Sequence, residues 1–151
     1  MIALILPVAI AAASVLFVIF VSGGLPYLLA FVDLPSLILV PVTAWLCAAA
    51  GFGWKRSFAA WRAPLDPGAD AAALRSALAW TGALAGWIAS FAALGLFMGL
   101  VFILANLDDA SKLGRNLAVA VLVSAYAAVS MLVLVLPART IAARRLAEAA
   151  R

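Results

Sequence analysis

Residues 82–104 read GALAGWIASFAALGLFMGLVFIL and contain no Asp, Glu, Lys, Arg or His. About 20 apolar residues in a helix cross the ~30 Å hydrocarbon core of a bilayer, where a charge costs roughly 2.5–3.5 kcal/mol. Three further stretches share this lack of charge, and they cover Met1 to Val21, Leu34 to Gly51 and Leu117 to Leu136. The sequence therefore predicts an all-α, polytopic membrane protein with four transmembrane helices.

The composition supports a membrane location. Apolar residues make up 69% of the 151 residues and charged residues 11%, which leaves too little polar surface for a soluble globule. We expect one membrane domain over residues 1–151. Its predicted parts are spans over about 1–22, 34–52, 80–105 and 116–137, a loop over 53–79, and a tail over 138–151. The first stretch is predicted to be a retained span rather than a secretory signal, because it lacks a basic n-region and is too long.

Little in the sequence points to catalysis or to a metal. The single cysteine, Cys47, lies in the second span, and the chain has no histidine. Neither an intrachain disulfide nor a metal site is therefore expected. No nucleophile, base and metal constellation is apparent, so we expect neither an enzyme nor a bound cofactor.

The basic residues are unevenly distributed along the chain. Eight of the ten Lys and Arg residues lie between the second and third spans or after the fourth span. They are Lys55, Arg56, Arg62, Arg75, Arg139, Arg144, Arg145 and Arg151. By the positive-inside rule, both termini and the central loop are predicted to be cytoplasmic. This topological explanation of the net charge of +4 is preferred to nucleic-acid binding.

Polar residues and prolines mark the predicted helix ends. They are Asp33, Pro35, Asn106, Asp108, Asp109 and Pro137. Asp33 is interpreted as a helix cap, with a role where ions reach the membrane as the alternative. The polar residues after Leu104 predict an outer turn, and Pro137 is predicted to close the fourth span.

Three segments extend the prediction beyond the spans. Trp54, Phe58 and Trp61 recur at i, i+4 and i+7 with basic residues between them, which indicates a short helix in the cytoplasmic interface. From Asp70 to Leu104 there is no further proline, and an unbroken helix would be about 50 Å long. The third helix is thus predicted to extend into the cytoplasm. The basic, Ala-rich tail is predicted to be an exposed helix held near anionic lipid.

Small residues form stripes in the third and fourth spans. The residues are Gly82, Gly86, Gly95 and Gly99 in the third span, and Ala120, Ser124 and Ala128 in the fourth. Small residues let helix backbones approach closely within a membrane. Their spacing alone is equally consistent with an oligomer and with packing inside one subunit.

Two segments carry a family resemblance. Residues 31–40 read FVDLPSLILV and residues 99–114 read GLVFILANLDDASKLG. Together they resemble the best-marked segments of the MotA/TolQ/ExbB family of ion-driven motor (stator) subunits, and the similarity continues through residues 117–122, Tyr126 and Pro137. The resemblance implies a homopentamer in the bacterial inner membrane. Its third and fourth helices would line a pore around a dimeric, single-span partner similar to MotB, ExbD or TolR.

The resemblance also implies how such a pentamer would work. The partner would supply the aspartate that binds the transported proton or sodium ion, and ion flow would rotate the pentamer. On this basis the residues expected along the pore or ion path are Gly95, Leu96, Gly99, Ala120, Ser124 and Tyr126.

The chain departs from the family pattern in several places. The cytoplasmic insertion is reduced to residues 53–79, so direct torque on a flagellar rotor is not expected. Leu96 stands where the family has an ion-path threonine, and Val123-Ser124 replace a threonine pair, which leaves Ser124 as the only matched hydroxyl. Two hypotheses therefore remain open: an ion-driven motor subunit, and a non-conducting scaffold that keeps the pentameric shell.

Overall fold

The computed structural model describes residues 2–23 and 32–149, and all regular structure in those two ranges is helical. The helices are α1 (Ile2–Gly23), α2 (Leu34–Phe52), α3 (Trp54–Arg62), α4 (Ala71–Leu104) and α5 (Ala110–Ala149). The predicted all-α class is confirmed. Three of these helices, α2, α4 and α5, are long and apolar enough to cross a membrane. A membrane crossing by α1, which is 22 residues long, stays a prediction.

The end of the fourth membrane span at Pro137 stays a prediction, but the helix itself does not end at this residue. Proline lacks an N–H group, and its ring collides with the carbonyl four residues earlier in a regular helix. Just before Pro137, residues Met131–Val135 form a wider π-helical turn, in which the Leu136 N–H donates to the Met131 carbonyl. A π turn changes the hydrogen-bond pattern where the proline would otherwise collide. The helix consequently continues past a buried Pro137 to Ala149.

The same device occurs in α2. Pro41 lies inside a π-helical turn over Ile38–Val42. The Thr43 N–H donates to the Ile38 carbonyl, and the Thr43 hydroxyl donates to that same oxygen at 2.9 Å. The π turn therefore accommodates Pro41 within the helix while the Ile38 carbonyl accepts two hydrogen bonds.

Helices α4 and α5 form a long antiparallel hairpin. At the start of α4, Asp70 Oδ1 accepts a hydrogen bond from the Ala73 N–H at 2.7 Å. The helix then runs unbroken for 34 residues, a length of about 51 Å. The connection to α5 is a tight turn in which the Asn106 side chain donates to the Phe102 carbonyl at 2.8 Å. The projection of α4 into the cytoplasm stays a prediction.

The tail is helical and largely exposed, as the sequence predicts, but one side of it is packed against the rest of the chain. Its residues continue α5, and Ala138, Ile141 and Ala142 are buried. Ala142 packs in a small cluster with Ala63, Leu74 and Ala77. The basic composition of the tail does not indicate this packing. Alanines at helical spacing let the tail lie close to the first turns of α4.

A larger core joins α2, α3, α4 and α5. Its buried residues are Val40, Ala44, Ala48, Ala60, Trp80, Leu84, Ile88, Val123 and Val135. Trp80 is fully buried and packs edge-on against Trp61, with ring centroids 5.5 Å apart. Trp45 packs against Phe58 at 5.2 Å. These aromatic contacts hold the predicted short helix α3 against α2 and α4.

Candidate functional site: the outer faces of the α4–α5 hairpin

Glycines on α4 set the distance between the two helices of the hairpin. A Cβ atom placed on Gly95 would lie 2.6 Å from Val123 Cγ1, and one placed on Gly99 would lie 2.6 Å from Ala120 Cβ. Both distances are too short for a real side chain, so only glycine permits this helix approach. Three residues expected along the pore, Gly95, Gly99 and Ala120, are thus buried between helices of one chain.

The close pairing extends from the turn toward the tail. Near the turn, the Asn116 side chain donates to the Phe102 carbonyl at 3.1 Å. Farther along, a Cβ on Gly82 would lie 3.1 Å from the Arg139 guanidinium. Gly86 differs from these glycines, because a Cβ there would meet nothing within 4 Å in the described part of the chain. Helices α4 and α5 therefore pack closely near the turn and again near the tail.

The small-residue stripe of α5 is divided between two environments. Ala120 is only 2% exposed and lies against α4, whereas Ser124 and Ala128 are exposed. They share this outer face of α5 with Leu117 and Val121. The Ser124 hydroxyl donates to the Ala120 carbonyl at 3.3 Å and can also accept a hydrogen bond from outside the helix.

The outer surface of α4 is strongly apolar. Phe97 is 64% exposed and Val101 is 61% exposed. Leu96, the residue expected along the ion path, is 38% exposed. In a membrane such side chains face lipid or a neighbouring helix. The arrangement leaves Ser124 and Leu96 accessible from outside the chain.

Tyr126 and Asp33 lie together although the sequence gives no sign of it. The Asp33 backbone N–H donates to the Tyr126 hydroxyl oxygen at 3.1 Å. The Asp33 carboxylate accepts the Ser36 N–H at 3.0 Å and so caps α2, with Pro35 in the first helical turn. Tyr126 therefore connects α5 to the start of α2, and the Asp33 carboxylate is occupied by its own helix.

The turn between α4 and α5 holds a second capping carboxylate. Asp109 Oδ1 accepts from the Ser111 hydroxyl at 2.7 Å, and Lys112 Nζ lies 3.1 Å from Asp109 Oδ2. The hydrogen bond from Ser111, followed by that from Lys112, lowers the pKa of Asp109 below its ordinary value. Asp108 is exposed beside it. Asp109 is accordingly a charged helix cap at neutral pH.

A cavity of about 260 Å³ lies between the start of α2 and the hairpin. Its lining includes Ser36, Met98, Phe102, Asn116 and Val119. Ser36 is 1% exposed, and its hydroxyl has no hydrogen-bond partner among the described residues. Ser36 lies in the first turn of α2. The residue four positions earlier, whose carbonyl would accept a serine hydroxyl in the middle of a helix, lies before the helix begins. The local sequence does not predict that Ser36 or Asn116 lines a cavity.

The chemistry that this region offers is limited to hydroxyl and amide groups. Residues 34–52, 82–104 and 117–136 contain no Asp, Glu, Lys, Arg or His. Within residues 2–23 and 32–149, no group of three or more metal-binding side chains comes together.

Comparison of the chain with known protein families, with curated proteins and with solved structures finds no match. The relationship to ion-driven motor subunits therefore rests on the sequence resemblance.

Proposed function

We propose that this chain is a MotA/TolQ/ExbB-like subunit of the bacterial inner membrane. Five copies would surround a dimeric single-span partner similar to MotB, ExbD or TolR and couple proton or sodium flow to rotation or to work on the cell envelope. The observation that carries the proposal is the exposed face of α5 over residues 117–136, which is apolar except for the hydroxyl of Ser124. Such a face suits close packing against another transmembrane helix.

The charge distribution supports the need for a partner. An ion in transit requires a ligand that can release it, and intramembrane carboxylates commonly fill that role. Of the three acidic residues near the outer ends of the spans, Asp33 and Asp109 are engaged as helix caps, and Asp108 is exposed in the turn. The partner's carboxylate would bind the ion, while Ser124 would offer a hydroxyl ligand or hold a water molecule.

The rigidity of the hairpin supports a load-bearing subunit. Gly99 lies against the backbone of Ala120, Gly95 lies against the side chain of Val123, and α1 packs along the second half of α5. A force applied to the outer face of α5 would be transmitted to the packed segment that includes Ala142 and Leu74. In the proposed pentamer, α4 and α5 face inward, and α1 and α2 face lipid.

The proposal is tested by isolating the chain from its own membrane with any partner that remains attached. Native mass spectrometry in mild detergent should detect five copies with two copies of a single-span protein. Proteoliposomes of the chain alone should show no ion flux above that of empty liposomes, whereas the complex should conduct. A monomer or dimer, or flux from the chain alone, would contradict the proposal.

A non-conducting scaffold is the second candidate. Val123, which stands where the family has a hydroxyl, is 1% exposed and lies against Gly95. Its side chain therefore packs inside the hairpin and cannot serve an ion. A pentamer that contains its native partner and yet shows no flux would favour this second function.

A further inference from the structure

We propose that the exposed face of α3 binds the headgroups of anionic phospholipids, through Lys55, Arg56 and Arg62. This role goes beyond the coupling function and does not depend on it. The sequence predicts contact with the membrane surface for both α3 and the tail, and the structure favours α3 as the lipid-binding element. The reason lies in which of the basic residues already have partners.

Two tail arginines are occupied within the chain. The Arg145 guanidinium donates to the carbonyl oxygens of Asp66 at 2.6 Å and Pro67 at 2.9 Å, and more weakly to those of Ala63 and Pro64. Arg144 Nε lies 3.4 Å from Glu148 Oε1. These contacts use N–H groups that could otherwise donate hydrogen bonds to a phosphate.

The cations of α3 have no such partners. Lys55, Arg56 and Arg62 are exposed, and none forms an ion pair or a hydrogen bond within the described residues. Arg75 and Arg139 are also exposed and unpaired in that part of the chain, but they lie on the hairpin rather than at the end of α2. The unpaired positive charge of α3 is complementary to an anionic phosphate.

The orientation of α3 presents these cations outward. Ser57 and Ala60 are buried, whereas Lys55 and Arg62, seven residues apart, lie on the opposite side of the helix. Trp54 is 52% exposed and Phe58 is 49% exposed on one flank of the basic face. Half-exposed aromatic rings beside lysine and arginine are typical of a helix at the headgroup level of a bilayer.

The position of α3 along the chain brings that face to the membrane surface. Candidate span α2 ends at Phe52, and α3 begins at Trp54. Gly53 has a φ of 83°, which non-glycine residues rarely adopt, and it turns the chain away from the axis of α2. The ring of Trp45 then contacts those of Trp54 and Phe58, at 5.7 and 5.2 Å. α3 is thus fixed beside the end of a transmembrane helix.

The test measures lipid preference on the full chain. The protein is equilibrated in mixed micelles with equal amounts of phosphatidylglycerol and phosphatidylcholine, and native mass spectrometry counts the lipids that remain bound. The wild type should retain phosphatidylglycerol preferentially. The triple variant Lys55→Gln, Arg56→Gln, Arg62→Gln should lower that preference at least about tenfold.

A charge-matched control separates the α3 face from net charge. The variant Lys112→Gln, Arg115→Gln, Arg144→Gln also removes three positive charges but leaves α3 intact, and it should keep the preference. Raising the salt to 1 M should weaken the preference in the wild type. The proposal is overturned if the two triple variants behave alike. It is also overturned if the wild type shows no preference, a result that would instead favour an acidic protein as the ligand of α3.

Discussion

Gly99 on α4 lies directly against Ala120 on α5, so that a Cβ atom on Gly99 would be 2.6 Å from the Ala120 Cβ. The backbone nitrogen and Cα of Ala120 lie nearly as close to that position, at 3.5 and 3.2 Å. A side chain at residue 99 could therefore be accepted only if one helix moved. The sequence spacing of the glycines could not distinguish this contact inside one chain from a contact between subunits.

We expect Gly99→Ala to destabilise the protein by about 1–3 kcal/mol, because the added methyl group forces α4 and α5 apart. Gly86→Ala is the matched control, since a Cβ there meets nothing within 4 Å. Thermal unfolding in detergent measures both variants. Equal unfolding temperatures for the two variants would be inconsistent with the close approach at Gly99.

Arg145 ties the end of α5 to residues 63–67 through four backbone carbonyls. We expect Arg145→Gln to weaken that connection by about 1–2 kcal/mol and to increase proteolysis between Ala63 and Asp70. Arg144→Gln is the control, because its contact with Glu148 is exposed and contributes little. Limited proteolysis in nanodiscs compares them, and similar cleavage of both would argue against the connection.

Much of the fold could be predicted because it depends on local composition. Long stretches without charge predict the apolar helices, and Asp33 before Pro35 predicts a capped start for α2. The path of α5 through Pro137 could not be predicted, since a π turn requires no particular residue. The hydrogen-bond acceptors of Arg145 could not be predicted either, because they are backbone carbonyls, which every residue has.

The candidate site was less predictable than the fold. Helical spacing places Ala120 and Ser124 on one stripe, yet the rotation of α5 buries Ala120 and exposes Ser124. Only the packing against Gly99 decides that rotation. The contact between Tyr126 and Asp33 depends on the placement of α2, which no local pattern specifies.

The Asp109 cap should be insensitive to pH in the physiological range. Hydrogen bonds from Ser111 and Lys112 hold the pKa of Asp109 below its ordinary value of 3.8. A carboxyl whose pKa is lower in the folded than in the unfolded protein stabilises the fold at a pH above its unfolded-state pKa. This stabilisation is lost as the pH falls through its folded-state pKa. Hydrogen-exchange protection at Ser111 and Lys112 should thus be constant from about pH 8 to pH 5 and decline only below 3.8. Protection that declines near neutral pH would contradict this account, and Asp108→Asn should leave it unchanged.

The orientation in the membrane can be tested by cysteine labelling in a Cys47→Ala background. We expect an impermeant thiol reagent, added from the periplasmic side, to label Ser111→Cys and not Ala59→Cys, because positive charge holds α3 in the cytoplasm. Both positions are exposed, whereas Ser57 in the same helix is buried and would resist labelling from either side. The reverse pattern would invert the predicted topology.

We expect ion conduction to depend on Ser124, whose hydroxyl is exposed on the outer face of α5 within residues 117–136. Ser124→Ala removes the hydroxyl with little change in size, and its only assigned hydrogen bond, to the Ala120 carbonyl, is long at 3.3 Å. The fold and the oligomer should therefore be unchanged. If Ser124 serves the ion path, partner-dependent proton or sodium flux in liposomes should fall in Ser124→Ala and recover in part in Ser124→Thr.

Ser90→Ala on α4 is the control, since that exposed hydroxyl also bonds within its own helix, at 2.9 Å to the Gly86 carbonyl. Flux that is unaffected by Ser124→Ala, or reduced equally by Ser90→Ala, would exclude a specific role for Ser124. A complex that assembles with its native partner and never conducts would favour the scaffold function.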